Sequence, residues 1–494
     1  MGAISNFIKS VATVLPEIKK PIRKPSLNEK LIWTGIAVIV YMVMAVTPLT
    51  GVPVGAQAQS SYSSIIFAST QGSLMTLGIG PIVTAGLILQ LLAGSEIIKV
   101  DFQNPEDRSI FTSATKFLTI IVIVVEASAY LIGGLFGTVK GDASIAIFFE
   151  LVAASVIVML LDELVQKGWG IGSGVSLFIL AGVAQKVMWS IFSPLQVPIS
   201  GGGQTGLPVV QVYFGAIPQL LNSTFSGQAF NAFFRTNAPQ FPSIFGLILT
   251  AIAILIIVYV EGMRIEIPIT STKYRGFAGV YPIKLLYVSN IPVILFSALI
   301  ANISFFFAYM WKIYDYGNTS SWFNYLAKYN TTQIVSQGTS ASPLTYQPLR
   351  GSLIYYMTSP QNILVPHADY IRALTYILFA VAFSVMFAKI WVEIGGLSPK
   401  AAAKSLIGAD VMVPGFRRTG TSVEAILSKY IPVITIIGGI FIGLLASLSD
   451  IFGVFGTGIG LLLMIDIIIQ YYQMLVKEEL ESMAPRLGSL LGRS

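Results

Sequence analysis

Apolar runs recur along the whole chain. Leu31 to Val46, Phe117 to Val125, Ile244 to Val258 and Ile459 to Ile469 are examples, and each reads as part of a membrane span. At about 20 residues per crossing, the pattern predicts spans near 31–50, 74–95, 112–136, 143–161, 171–192, 243–262, 285–311, 370–390, 431–448 and 457–476. The expected architecture is an all-α polytopic membrane protein of ten transmembrane helices. It divides into an N-terminal segment 1–30, a first half 31–192, an external loop 193–242, a second half 243–476 and a tail 477–494.

Composition strengthens this picture and narrows the chemistry. Of 494 residues, 54% are hydrophobic and 11% charged, against about 25% charged in soluble domains, which excludes a water-soluble globule. There is no Cys, and His367 is the single His, so thiolate or imidazole ligand sets cannot be assembled and no metal or cofactor is expected. No phosphate-binding Gly-x-x-x-x-Gly-Lys-Ser/Thr loop or nucleophile elbow is present, and Gly456-Thr-Gly-Ile-Gly lacks a preceding strand. The chain reads as a non-enzyme that takes its energy from a partner.

The net charge of +7 could suit nucleic acid or anionic lipid, and the positions of the charges decide between them. With the N-terminus inside, the inner segments hold 22 Lys and Arg, and the outer connections hold few, among them Lys140, Arg235, Lys328 and Arg350. The positive-inside rule then places both termini in the cytoplasm. The outer connections 193–242 and 312–369 contain the sequons at Asn222, Asn318 and Asn330, in agreement with this side but equally accounted for by chance in Asn- and Thr-rich loops. Leu31 to Val46 followed by Ala56-Gln57-Ala58 resembles a cleavable signal, but the basic segment before it is too long and the apolar run is span-length. Upstream, Ile4, Phe7, Ile8, Val11 and Leu15 share one helical face, so the segment is expected to lie on the inner membrane surface.

Two segments break their helices in the same way: Gly78-Ile79-Gly80-Pro81-Ile82-Val83 and Gly170-Ile171-Gly172-Ser173-Gly174-Val175. Each puts two β-branched residues at i and i+4, expected on one helix face. Converging branched tips would form an apolar collar that gates by dewetting; small-residue helix packing is the alternative. Asn290-Ile291-Pro292-Val293-Ile294 breaks the seventh span at the matching place, which suggests two halves related as an inverted repeat.

Polar groups inside spans are costly and need a partner or a cavity. Glu126, Thr84 and Asn302 stand out. An interhelical hydrogen bond accounts for all three; a proton-coupling carboxylate in a transporter would account for Glu126. Asp466 in the last span has no evident partner in the sequence. The uncharged stretch 57–72 is too short to span and either folds back into a water-filled funnel or forms an ordinary outer loop. Basic residues concentrate in the inner loops 263–284 and 391–430: Arg264, Lys273, Arg275 and Lys284 in one, Lys400, Lys404, Arg417, Arg418 and Lys429 in the other. They either satisfy the positive-inside rule alone or dock onto the phosphate backbone of a large ribonucleoprotein.

Several longer motifs, in order along the chain, resemble the archaeal branch of the SecY family, the main subunit of the Sec protein-conducting channel. They are Thr76-Leu-Gly-Ile-Gly-Pro-Ile-Val-Thr-Ala-Gly-Leu-Ile-Leu-Gln-Leu-Leu, Leu161-Asp-Glu with Gly170-Ile-Gly-Ser-Gly-Val, Arg264-Ile-Glu-Ile-Pro, Tyr281-Pro-Ile-Lys with Val288-Ser-Asn-Ile-Pro-Val-Ile, and Pro414-Gly-Phe-Arg-Arg. The resemblance implies two inverted halves around an hourglass pore that passes unfolded polypeptide and releases apolar segments sideways into lipid.

It also implies residue roles. Ile79, Val83, Ile171, Val175, Ile294 and Leu445 would form the pore ring. Tyr62, Ser63, Ser64, Ile65, Ile66, Phe67, Ala68, Ser69, Thr70 and Gln71 would form the plug. Thr84, Glu126 and Asn302 would line the lateral gate, where signal sequences enter. Arg264, Lys273, Arg275, Lys400, Lys404, Arg417 and Arg418 would dock the ribosome. Implied partners are small SecE/gamma-type and beta-type membrane subunits, the ribosome, nascent chains and the lipid bilayer of the cell membrane, without direct DNA binding. The long outer loops and Asp466 depart from the family pattern. A secondary transporter for a small solute is the competing reading, but it requires a polar midplane site where the breaks present Ile and Val.

Because the chain lacks Cys, its orientation is directly testable. A membrane-impermeant maleimide should label Arg350→Cys in intact cells and Lys400→Cys only after permeabilisation; the reverse pattern would invert the topology.

Overall fold

The computed structural model describes residues 16–23, 25–52, 69–70, 72–94, 97–98, 100, 104–132, 136, 141–199, 210–225, 233–235, 241–271, 278–288, 291–314, 322–333, 344–360, 369–408, 411–412 and 420–490. The helices are α1 (Leu27–Val46), α2 (Gly80–Gly94), α3 (Pro105–Ile132), α4 (Gly141–Leu164), α5 (Gly174–Phe192), α6 (Ala216–Phe225), α7 (Ile244–Glu261), α8 (Ile291–Tyr314), α9 (Phe323–Leu326), α10 (Leu353–Met357), α11 (Tyr370–Ile394), α12 (Pro399–Gly408), α13 (Gly420–Ile451) and α14 (Gly458–Leu490). Among the described residues, nine helical stretches are long and apolar enough to cross a membrane, and α2 is a shorter apolar helix. The ten expected spans therefore appear as nine of full length and one short one.

The first span shows why these sequences form helices with an apolar outside. Ser26 and Glu29 make a reciprocal capping box that fixes the start of α1. Ile32, Ile36, Ile39, Val43 and Val46 are exposed, while Ala37, Tyr41, Met44 and Ala45 are buried. Both stripes are apolar, as a helix facing lipid on one side and protein on the other requires. Between α11 and α13, small residues replace bulk: a Cβ on Gly439 would lie 3.0 Å from the Val385 Cα, and one on Gly443 would lie 2.8 Å from the Val381 Cα. This close approach is the usual packing solution where no hydrophobic driving force separates helix from lipid.

The spans assemble as two groups. Helices α1–α5 pack mainly on each other, and so do α7, α8, α11, α13 and α14. The groups meet along one side where α5 packs on α14, and along the other where α2 packs on α8 and α11. On the first side the Tyr471 hydroxyl donates to the Ser173 carbonyl (3.0 Å), and Lys30 pairs with Glu478 (2.5 Å).

Three spans start later than expected by three residues or more. The second helix begins at Gly80, after turns over 74–79, and the eighth at Ile291, so the glycine and proline breaks are helix N-termini instead of mid-span interruptions. The pair Ile171 and Val175 does not share a helix face: Gly172 adopts φ +77° and Ser173 is extended, so α5 starts only at Gly174. Ile79 and Val83 do keep helical spacing, with the Val83 N–H donating to the Ile79 carbonyl at 3.1 Å. At the other end, α13 and α14 run into the regions expected as cytoplasmic loop and tail.

Asp162 makes the α5 start possible. Its carboxylate accepts from the Val175 N–H (2.9 Å), from Ser173 Oγ (3.4 Å) and from Gln166 Nε2 (2.7 Å), covering donors a buried helix start would leave unpaired. A Cβ on Gly174 would lie 2.5 Å from the Asp162 Cα. Asp466, without a partner in the sequence reading, accepts from Gln470 Nε2 (2.7 Å), one turn along α14.

Short strands complete the fold. They form β1 (Gln196–Ile199) with β2 (Val210–Tyr213), β5 (Tyr329–Gln333) with β6 (Leu344–Pro348), and a three-stranded sheet in which β3 (Arg264–Ser271) lies between β4 (Ala278–Lys284) and β7 (Val411–Met412). The last joins the two inner loops, with Thr270 opposite Met412. Ile267 and Ile283 pack with Ala403, Leu406 and Leu427 in a satellite core.

Asp162→Ala is expected to lower the stability of the detergent-purified protein by about 1–3 kcal/mol, the cost of leaving buried donors unmet, seen as a lower melting temperature. Asp162→Asn should recover part of it, and an unchanged melting temperature for Asp162→Ala would remove the capping role.

Candidate functional site

The candidate pore residues fall where helices begin. Ile79 directly precedes α2 and is fully buried, Val83 lies in its first turn, Ile171 and Val175 flank the start of α5, and Ile294 lies in the first turn of α8 beside Pro292. Proline suits a helix start, where its missing N–H costs nothing. Leu445 comes from α13, two residues past Gly443. Ile79, Val83, Val175, Ile294 and Leu445 belong to one apolar cluster. Ile171 is buried outside that cluster, its N–H donating to Thr34 Oγ1 (3.0 Å). Gly172 beside it leaves room for Tyr471, whose ring would lie 2.9 Å from a Cβ there.

The three polar gate candidates meet across the second contact side. Asn302 Nδ2 of α8 donates to Thr84 Oγ1 of α2 (3.1 Å), and Thr84 Oγ1 lies 3.3 Å from Glu126 Oε1 of α3. Thr84 Oγ1 is also 3.3 Å from Asn302 Oδ1. A hydroxyl has one proton, so the arrangement serving every group runs from the amide to the hydroxyl and from the hydroxyl to the carboxylate. One helix group thus latches to the other through the Asn302–Thr84 side-chain bond. The interhelical bond expected for this trio is present.

Of the plug candidates, Tyr62 to Ala68 and Gln71 lie outside the described residues; Ser69 is buried, and the Thr70 N–H donates to the Met75 carbonyl (3.0 Å). The two ends of the segment are anchored together: the Leu49 N–H donates to the Gly72 carbonyl and the Leu74 N–H to the Thr47 carbonyl, both at 3.0 Å. Leu49, Val52 and Leu77 share a buried cluster with Phe136, Ile147 and Leu151.

Of the docking candidates, Arg264 opens β3 and pairs with Glu266 (3.3 Å), and Lys400 and Lys404 project from α12 into the surroundings. Lys273, Arg275, Arg417 and Arg418 lie outside the described residues. Lys284 is engaged by the buried Glu261 (3.0 Å). Tyr287, whose hydroxyl donates to the Leu397 carbonyl (2.9 Å), ties the two inner loops together; burial, with Tyr281 nearby, pushes its pKa up to about 12. At the N-terminal side, Glu17 pairs with Lys167, and the hydrogen bond from that ammonium holds its carboxyl below the ordinary range. Lys167 and Lys116 of α3 both pair with Glu163 (2.9 Å each), which ties α3 to the C-terminal end of α4.

Two contacts have no signal in the sequence: the capping carboxylate of Asp162, and an aromatic stack between Tyr130 and Phe305 across the second contact side. Among the described residues no cluster of three or more His, Asp or Glu could hold a metal ion.

Thr84→Val keeps the side-chain shape and removes the hydroxyl, leaving Glu126 and Asn302 without their shared partner. A loss of about 1–3 kcal/mol is expected as a lower melting temperature, with Thr84→Ser close to the parent; equal melting of Thr84→Val and parent would dissolve the latch.

Residues 73–472 match the SecY family. The protein translocase subunit SecY of Pyrococcus furiosus is 37% identical over 498 residues, covering 100% of each chain. A solved protein-conducting channel matches with TM-score 0.77 and 33% identity over 96% of this chain and 98% of its own. Sec61 in the canine ribosome–channel complex from the endoplasmic reticulum matches with TM-score 0.74 and 32% identity over the same shares. With a full-length relative at this identity and most of the sequence covered by one family, the chain belongs to the SecY family, near its archaeal members.

Proposed function

We propose that this chain is the central pore-forming subunit of a Sec translocon, passing unfolded polypeptides across the membrane and releasing apolar segments sideways into lipid. The observation that carries the reading is the pairing of two features. One is an apolar set of side chains at the helix starts; the other is a seam between helix groups that, among the described residues, is joined by side-chain contacts. An extended polypeptide carries side chains of every kind, so a selective polar site would stall it. A deformable ring of Ile79, Val83, Ile171, Val175, Ile294 and Leu445 offers no preferred partner and recloses through its own contacts.

In this reading residues 62–71 act as the plug, and Thr84, Glu126 and Asn302 form the lateral gate. Arg264, Lys273, Arg275, Lys400, Lys404, Arg417 and Arg418 form a cytoplasmic docking surface for the ribosome. The canine relative, solved in a ribosome–channel complex, supports the ribosome as partner. The chain sits in the cell membrane with both termini in the cytoplasm, joined by small SecE/gamma-type and beta-type subunits. It performs no covalent chemistry; a partner supplies the energy. The competing transporter reading gains nothing from Glu126, whose carboxylate is engaged in the latch.

The test uses the absence of native Cys. With a single Cys at Val175→Cys and a ribosome stalled on a secretory chain carrying a Cys probe, a signal-dependent disulfide is expected. No crosslink, with the variant folded and the chain targeted, would overturn the channel reading and make solute uptake by Glu126→Gln the next assay.

A further inference from the structure

One turn beyond the polar latch, the seam holds a second contact of different chemistry. Tyr130 of α3 and Phe305 of α8 stack with ring centroids 4.8 Å apart and planes 24° from parallel. Tyr130 lies four residues after Glu126 and Phe305 three after Asn302, so each ring stands above a latch residue on the same helix face. Both displacements run toward the helix C-termini, which the charge distribution places on the outer side. The Tyr130 ring is braced from behind by Phe136, with centroids 6.3 Å apart, and by the cluster containing Leu77, Ile147 and Leu151.

We propose that Tyr130 and Phe305 form an apolar clasp that sets how hydrophobic a segment must be to part the seam, a specificity-determining pair for lateral release. The proposal rests on the gate reading above. A segment parting α2 and α3 from α8 breaks the Asn302–Thr84 hydrogen bond whatever its composition, so the latch imposes one cost on all comers. The clasp is graded. A large apolar side chain replaces the contact each ring loses, whereas a small or polar one leaves both ring faces uncovered. Discrimination by apolar content therefore resides in the aromatic pair and stringency in the polar trio.

The test follows the partition of guest segments with increasing Leu content between insertion and translocation, scored by protease protection in reconstituted membranes. For segments near the parent's midpoint, Phe305→Ala is expected to raise the inserted-to-translocated ratio by up to about tenfold, which corresponds to about 1.4 kcal/mol. Tyr130→Phe, which keeps the ring, should match the parent. The double variant Tyr130→Ala with Phe305→Ala should shift no further than the larger single, as expected of two groups acting as one contact. Should Phe305→Ala fail to accumulate, Phe305→Leu keeps most of the volume and should shift the ratio the same way by less. Parent-like ratios in an abundant ring-less variant, or additive shifts, would overturn the clasp. A parent that neither inserts Leu-rich segments nor translocates polar ones would instead overturn the gate reading itself.

Discussion

In hydrocarbon no water meets an unpaired peptide group, and each one costs several kcal/mol. A helix that begins inside the bundle is therefore tolerated only under cover of protein or beside a water-filled space. Among the described residues, the helices starting at Gly80, Gly174 and Ile291 use that licence. The cover is visible at α5, where Asp162 takes the donors of the first turn. At α2 it comes from local turns, with the Gly80 N–H donating to the Leu77 carbonyl (3.1 Å). Five of the six candidate pore residues sit at these starts. There the backbone leaves its helical path, and a short branched side chain can reach a position that a continuous helix would fill with backbone.

The two contact sides between the helix groups are bonded differently. Where α5 meets α14, a tyrosine hydroxyl bonds a main-chain carbonyl beside a glycine with no room for a side chain, and an ion pair of two largely covered side chains closes the inner end. Where α2 and α3 meet α8, the bonds join side chain to side chain and ring to ring. Among the described residues no backbone hydrogen bond joins the second side, whereas the first is tied into the main chain. This asymmetry leaves one side tied into the main chain and the other joined through side chains. The inner sheet adds stiffness below them, joining two loops far apart in sequence and packing on α12 and α13.

Much of the architecture was legible in the sequence because hydropathy is a local property. A span is a run of neighbours whose hydropathy is counted without reference to anything distant, so the helices could be read directly. The polar trio was legible for a related reason. Polar groups at membrane depth must find partners, and Thr84, Glu126 and Asn302 were few enough to point at one another. Asp466 was legible in principle, since its partner Gln470 is one turn away.

What the sequence could not reveal depends on contacts between distant segments. The start of α8 at Ile291 instead of 285, and of α2 at Gly80 instead of 74, depends on turns and neighbours that hydropathy does not record. The separation of Ile171 from Val175 follows from a positive φ at Gly172 that a ring on α14 accommodates from 299 positions away. The Tyr130–Phe305 stack could not be singled out among 21 Tyr and 30 Phe, because an aromatic residue is at home in lipid without any partner. The sequence alone determined which stretches enter the membrane and which side chains cannot lie there unaccompanied. Only the tertiary structure decided which helices begin under cover and which faces meet, because apolar surface satisfies lipid and protein equally and only packing selects between them.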